Sequence, residues 1–285
     1  KLRAFLGFWS LIWHVFLPAV ILYLRRRARK DAVYGMHLKE RLGLFTTSMP
    51  GAVWVHAVSL GELRSAVPMI QALLDQGEKV VVTQFTPAGR RETENVFAAA
   101  ITAGQLQTVW VPFETSWAFR GFFKAFAPKF GLVMEIEIWP RMVMASKRAG
   151  IPLFMCNAQY PSKSIVKDQN SFGLRPAVMA QFAGAFVKSE LQAQRFAAVN
   201  VPNLHVTGEL RFDQPIPPAL IAAGPVARNW LGAETRPVIT LGSTVEGEDA
   251  LYVETMKRML AAPGPKPLFV YVPRRPERFD EINDM

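Results

Sequence analysis

The chain holds a single cysteine, Cys156, among its 285 residues, so no internal disulfide can form. That fits a reducing compartment, and its place in the apolar run IPLFMC reads as a core residue rather than a nucleophile. The four histidines, His14, His37, His56 and His205, lie far apart without a spacing such as H-x-x-x-H. No metal site declares itself on that pattern. The G-x-G-x-x-G dinucleotide fingerprint and the Walker A loop are also missing, which disfavours a nicotinamide oxidoreductase and a P-loop kinase. Acids are outnumbered, 23 against 33 Lys and Arg, for a net charge of +10. Such a balance, with a pI near 9.9, implies an anionic partner: nucleic acid, an acidic membrane surface or phosphorylated substrates. With half its residues hydrophobic and a fifth charged, the chain is neither disordered nor uniformly membrane-embedded.

Residues 5–24, FLGFWSLIWHVFLPAVILYL, contain no Asp, Glu, Lys or Arg. As a helix rising about 1.5 Å per residue, this stretch covers roughly the hydrocarbon thickness of a bilayer. The run RRRARK, Arg25 to Lys30, follows directly and favours anionic headgroups on the cytoplasmic side. A cleaved signal peptide fits poorly, because no small-residue cleavage site follows and the basic cluster stands on the wrong side. We read residues 1–30 as a membrane anchor and basic run, spanning or lying in one leaflet; a buried or amphipathic helix of a soluble core is the alternative. Residues 31–50 form a polar bridge whose basic side chains either meet lipid phosphates or make a solvated face.

From Ala52 onward short apolar runs alternate with helical patterns. Strands are predicted at 52–58, 79–84, 107–111, 130–135, 151–156, 184–188 and 204–207, which argues a parallel sheet of βαβ units. Thr86-Pro87 opens a helix with an N-cap Thr and Pro at the first helical position. This Rossmann-like domain spans 31–213. A proline-rich linker, QPIPPAL, lies within 214–236 together with a first helix, and a second α/β pattern starts at 237: strand 237–242, helix 247–261, strand 267–272. Only about seventy residues follow Asp213, fewer than an α/β domain normally needs. The chain is therefore expected to be a piece of a longer protein whose second domain, 237–285, is incomplete.

The strand-to-helix junction 52–70 is the most informative stretch. Open α/β sheets place ligands beyond the carboxyl ends of their strands, and Glu62 sits there in the first turn of a helix. Ser59-Leu60-Gly61-Glu62 also fits a capping box, with Ser59 as N-cap. Glu62 is thus a candidate either for proton chemistry or for capping alone. A helix N-terminus is expected to lower its pKa rather than raise it.

Motifs spread along the chain, in order, resemble those of the Kdo transferases, which attach 3-deoxy-D-manno-octulosonic acid (Kdo) to the lipid A precursor. They are HAVSLGE (His56–Glu62), TQFTPAG (Thr83–Gly89), MEIEIWPR (Met134–Arg141), NAQYP (Asn157–Pro161), VTGELRFD (Val206–Asp213), STVEGE (Ser243–Glu248) and VPRRPERF (Val272–Phe279), with Lys39-Glu40-Arg41-Leu42-Gly43 as a remnant upstream. Departures from the family pattern are Val245, Gln159, Pro161 and Arg275. The resemblance implies an α/β fold of glycosyltransferase type B, two Rossmann-like domains facing a cleft. It implies an inverting transferase that moves Kdo from CMP-Kdo to a lipid A precursor, lipid IVA, at the cytoplasmic face of the inner membrane. Its partners are the donor, the acceptor and a membrane surface with anionic lipids; no nucleic acid, cofactor or metal is implied. By the same resemblance Glu62 is the general base, Glu135 stabilises the transition state ahead of Glu137, and Arg211 balances the leaving phosphate or the Kdo carboxylate. Ser59, Gly61, Ser243, Glu246, Pro273 and Arg274 contact substrates. A non-catalytic membrane-binding module and a type B transferase with another donor are the alternatives.

Overall fold

The computed structural model describes residues 2–170 and 173–285; Lys1, Ser171 and Phe172 lie outside the description. The chain divides into two compact units, Lys1–Gln214 and Pro215–Met285.

The first unit is a seven-stranded sheet, all of it parallel, with strands β1 (Val53–His56), β2 (Val80–Gln84), β3 (Leu106–Trp110), β4 (Gly131–Met134), β5 (Leu153–Ala158), β6 (Gly184–Val187) and β7 (Leu204–Val206). Its order is β3-β2-β1-β4-β5-β6-β7. The order reverses between β1 and β4, which pair side by side (Val55 opposite Leu132), and such a reversal leaves an open crevice at the carboxyl ends of those two strands. All predicted strands are present, with ends shifted by one or two residues. The β-branched runs of the inner strands are buried on both faces, as parallel sheets require, while the edge strand β7 is largely exposed. Trp54 and Val81 pack with Phe119, Phe122 and Phe126 on one face, while Val53, Val55, Val80 and Val82 pack with Leu63 and Ile70 on the other.

The helices of this unit are α1 (Leu2–Ala28), α2 (Leu38–Arg41), α3 (Leu60–Asp75), α4 (Pro87–Val96), α5 (Ala98–Thr102), α6 (Ser116–Phe126), α7 (Pro140–Arg148), α8 (Ser162–Gln169), α9 (Leu174–Met179) and α10 (Glu190–Ala197). Thr86 caps α4 as expected, its Oγ1 accepting from the Gly89 amide at 3.3 Å. Pro68 lies inside α3 and leaves the Arg64 carbonyl without its helical donor; the Gln214 side-chain amide donates to that oxygen instead. Neither reading of the 31–50 bridge holds for its central arginine. Arg41 is buried between the Phe85 and Trp110 rings and donates to the Phe85 carbonyl at 3.0 Å, while Glu40 accepts from Arg90 and from the Trp110 amide. Gly43 and Gly121 meet backbone to backbone, and a Cβ on Gly121 would clash with the Gly43 carbonyl oxygen.

Helix α1 belongs to this unit. The stretch Ala4–Ala28 is long and apolar enough to cross a membrane, yet one side of it is docked. Trp9 Nε1 donates to Glu114 at 3.0 Å, Arg141 donates to the Leu6 carbonyl at 2.7 Å, and Trp13 packs on Phe113. Phe8, Leu11, Val15, Phe16, Leu22 and Tyr23 stay exposed.

The second unit is a βαβ arrangement in which β8 (Val238–Thr244) and β9 (Leu268–Pro273) pair in parallel. Around them lie α11 (Pro218–Trp230), α12 (Asp249–Ala261) and α13 (Phe279–Asn283). Helix α11 begins inside the stretch read from sequence as linker, with Pro218 at its first position, where a missing N–H costs nothing.

Candidate active site

Strand β1 delivers the chain to Ser59, and α3 starts one residue later. Ser59 Oγ accepts from the Glu62 amide at 3.3 Å and donates to Glu62 Oε1 at 2.9 Å. Glu62 Oε2 accepts from the Val58 amide at 2.8 Å. The carboxylate therefore reaches back one residue beyond the N-cap, a shifted version of the capping box. Capping and proton chemistry are not exclusive here. Two of roughly four acceptor positions on the carboxylate are taken, and the rest stay available. Gly61 is exposed beside it, and a Cβ there would meet nothing within 4 Å.

Glu62 is 7% exposed. Burial pushes its pKa up to about 7, against the pull of the Val58 amide and the Ser59 hydroxyl, and the neighbouring Glu137 and Glu135 add to the rise. The sequence-based expectation of a lowered pKa is thus overturned. A helix N-terminus does favour a carboxylate, but desolvation and two like charges outweigh it.

Glu135 and Glu137 arrive from β4, the strand beside β1 at the reversal of order. Glu135 has φ +55, a left-handed conformation that a non-glycine residue adopts at a cost of about 1–3 kcal/mol. Its amide donates to the Cys156 carbonyl at 2.8 Å, which pins the turn. The family resemblance sets Glu135 ahead of Glu137, yet of the two Glu137 acts more strongly on Glu62. Trp139 Nε1 donates to it at 2.7 Å, and the Trp139 ring stands edge-on to His56 at 5.3 Å between centroids. Arg211 reaches the same place: its Nη2 lies 3.9 Å from Glu135 Oε1 and its Nε donates to Ser65 Oγ at 3.0 Å.

Sequence reasoning missed the framework that holds these groups. Asn157 donates to Glu209 at 2.8 Å and accepts from the Leu210 amide at 3.1 Å, while Lys188 pairs with Glu209 at 2.7 Å. Together they fix the segment carrying Arg211. Asn157 and Glu209 both stand inside quoted motifs, which was the available signal. His56 is wholly buried, its Nδ1 2.8 Å from Thr83 Oγ1, and burial pushes its pKa down to about 3, so it remains a neutral structural ring. Burial pushes the Cys156 thiol up to about 12, which removes it as a nucleophile.

The remaining predicted residues lie in the second unit. Ser243 has φ +62 at a register shift between β8 and β9, a bulge of the kind that re-aims side chains. Glu246 and Arg274 line a cavity of about 170 Å³ with Arg275 and Arg278. Glu246 Oε1 lies 3.8 Å from Arg275 and 4.0 Å from Arg278, and the Arg274 amide donates to the Thr244 carbonyl at 3.0 Å. Pro273 ends β9. Arg278 is itself paired with Asp249 at 2.6 Å and Glu281 at 3.1 Å, which leaves Arg274 and Arg275 on the lining to suit a phosphate.

Residues 36–214 match the family model described as 3-Deoxy-D-manno-octulosonic-acid transferase (kdotransferase). Among named proteins, the chain is 37% identical to a 3-deoxy-D-manno-octulosonic acid transferase of Bordetella pertussis, an alignment covering 96% of this chain and 65% of that protein. It is 24% identical to the Haemophilus influenzae transferase of the same name, over 94% of this chain and 63% of that protein. The chain thus spans just under two thirds of the length of these relatives. Among solved structures, the UDP-GlcNAc 2-epimerase of Neisseria meningitidis matches with a TM-score of 0.52 at 14% identity, covering 82% of this chain and 68% of that one. That likeness concerns the fold alone.

Proposed function

The chain belongs to the 3-deoxy-D-manno-octulosonic-acid transferase family, and from that premise we propose that it transfers Kdo from CMP-Kdo to a hydroxyl of an acylated, phosphorylated lipid A precursor, with Glu62 as general base. The observation that carries the reading is the Glu62 carboxylate itself: held by Val58 and Ser59, desolvated, and raised to about 7 at the reversal of strand order. A base works best with a pKa near the working pH. It remains far weaker than an alkoxide, so proton transfer accompanies bond formation. The acceptor oxygen bonds to the anomeric carbon and its proton passes to Glu62. The bond from that carbon to the phosphate oxygen breaks, its electron pair leaves with CMP, and the anomeric centre inverts.

Positive charge develops on the sugar as that bond breaks, and the fixed carboxylate of Glu135 stabilises it. Arg211, 3.9 Å from Glu135, balances the negative charge of the Kdo carboxylate or the departing phosphate. Arg274 pairs with the cytidylate phosphate, and Ser243, Glu246 and Pro273 shape that donor end. Ser59 and Gly61 border the acceptor beside Glu62. The basic run at the C-terminal end of α1 holds the acceptor at the cytoplasmic face of the inner membrane.

The test is Kdo transfer from CMP-Kdo to tetraacyl lipid A by the full-length protein, comparing wild type with Glu62→Gln. Gln keeps the size and an acceptor oxygen for the Val58 amide, so the fold survives. Loss of the base is expected to lower kcat about 10²–10⁴-fold. Undiminished transfer in the variant makes Glu62 a helix cap, and an inactive wild type favours a membrane-binding module.

A further inference from the structure

A larger space, a cavity of about 700 Å³, is lined in part by Phe85 and by Ile138, Trp139 and Pro140, from two of the quoted motifs. Helix α1 forms one wall with Trp9 and Trp13, the turn after β4 another with Ile138 and Trp139, and α9 closes it with Leu174 and Val178. Most of the polar groups in these walls are already engaged, Lys167 and the Trp13 indole N–H being the exceptions among the described residues. Glu114 accepts from Trp9 Nε1 and from the Arg141 and Met142 amides at the start of α7. Trp139 Nε1 is used by Glu137, and Asp168 accepts from Tyr160 and Arg175. Apart from these two, what faces an occupant is carbon. A sugar or nucleotide buried there would leave its hydroxyls without partners, whereas an alkyl chain gains with every methylene it buries.

Three further observations bear on which alkyl chain this is. The cavity begins where the Glu62 site ends: Phe85, on its lining, donates its amide to the Val58 carbonyl at 3.3 Å, and the Val58 amide binds Glu62. Its far wall is α1, whose other side carries the exposed Phe8, Leu11, Val15 and Phe16. Lys167 also stands on the lining, next to Arg175, which is paired with Asp168 at 2.8 Å; a lysine free among the described residues suits a phosphorylated headgroup above an apolar tail.

We propose that this cavity binds one acyl chain of the lipid acceptor, entering along α1 and drawing the acceptor hydroxyl to Glu62. The inference rests on the reading of the protein as a transferase to an acylated acceptor and makes acylation a requirement for productive binding. Leu174 is half-buried and open to the cavity, so Leu174→Phe narrows it.

Two measurements with the full-length protein test this. The first is the ratio of KM for the deacylated over the tetraacylated acceptor, expected well above one in wild type and reduced about tenfold by Leu174→Phe. The second needs no turnover: dibromostearate below its micelle-forming concentration is expected to quench tryptophan fluorescence saturably through Trp9, Trp13 and Trp139, with the quenching weakened at least fivefold in affinity by Leu174→Phe. An unchanged KM ratio in the folded variant overturns the proposal. So does wild-type quenching that does not saturate. Saturable quenching relieved by the variant, in a wild-type protein that transfers no Kdo, keeps the acyl site and removes the transferase reading.

Discussion

At the scale of single residues, the site turns on how far three carboxylates can be brought together. Glu62 carries the highest cost of ionisation because it is the buried one, and Glu137 acts on it more than Glu135 does. Glu62 is therefore protonated below about pH 7, and on its proposed role as base kcat/KM of the full-length protein is expected to rise tenfold per pH unit up to that point and then level off. Glu137→Gln removes a like charge, lowers the Glu62 pKa, and should move the rising limb to lower pH by several tenths of a unit in a pH-rate profile. The same shift carries a stability signature of definite sign. A carboxyl whose pKa is raised on folding binds more protons in the native state, so stability falls as pH rises from about 4.5, the unfolded value, to about 7. Relative to wild type, Glu62→Gln should gain about 1–2 kcal/mol across that window in urea titrations, the full 1.4 kcal/mol per pKa unit being reduced by solvent at the open side of the carboxylate.

Among the elements, the junction of α1 with α7 depends on one buried acid. Glu114 caps α7 through the Arg141 and Met142 amides and holds α1 through Trp9. Glu114→Ala leaves three buried donors without an acceptor, at about 1–3 kcal/mol each before relaxation. A fall in unfolding free energy of about 3 kcal/mol is expected, with faster proteolysis within α1, while Glu114→Gln, which retains an acceptor oxygen, should lose about half as much. No local pattern marked this residue, because a lone acid in VPFETS has the sequence appearance of any loop carboxylate; its role exists only once α1 and α7 meet on it. The strands were legible for the opposite reason. Runs such as VVVTQ are buried on both sides, so local propensity and tertiary demand agree, and the motifs placed Glu62 and Glu135 each at a strand end; that those two strands pair side by side emerges only from the sheet. What escaped was set by packing: the rise in the Glu62 pKa, the burial of Arg41 between two rings, and the Asn157–Glu209–Lys188 brace behind Arg211.

For the molecule as a whole, the net charge of +10 and the apolar outer side of α1 point to one surface. Five of the cations, Arg25, Arg26, Arg27, Arg29 and Lys30, follow directly on that apolar side and are exposed. Near an anionic membrane each basic residue contributes about 1 kcal/mol, an attraction that salt screens within roughly 10 Å at 0.1 M. Insertion of Phe8, Leu11, Val15, Phe16 and Leu22 does not depend on salt in that way. Binding to vesicles containing anionic lipid is therefore expected to weaken at least tenfold between 0.1 and 1 M salt without vanishing, and replacing Arg25, Arg26 and Arg29 by Ser should reproduce the low-affinity limit at 0.1 M. The docked side of α1 bears on the topology. For the helix to span a bilayer, Trp9 must give up Glu114 and the Leu6 carbonyl must give up Arg141, so the Trp9 indole N–H and the Arg141 guanidinium each lose a hydrogen bond. Lying in one leaflet keeps both contacts and still buries the outer side. Alkaline carbonate, which strips proteins held at the surface, should release the full-length protein from membranes. Retention in the pellet would mean that α1 has left the domain and crosses the bilayer, and the cavity it walls would then be open to lipid.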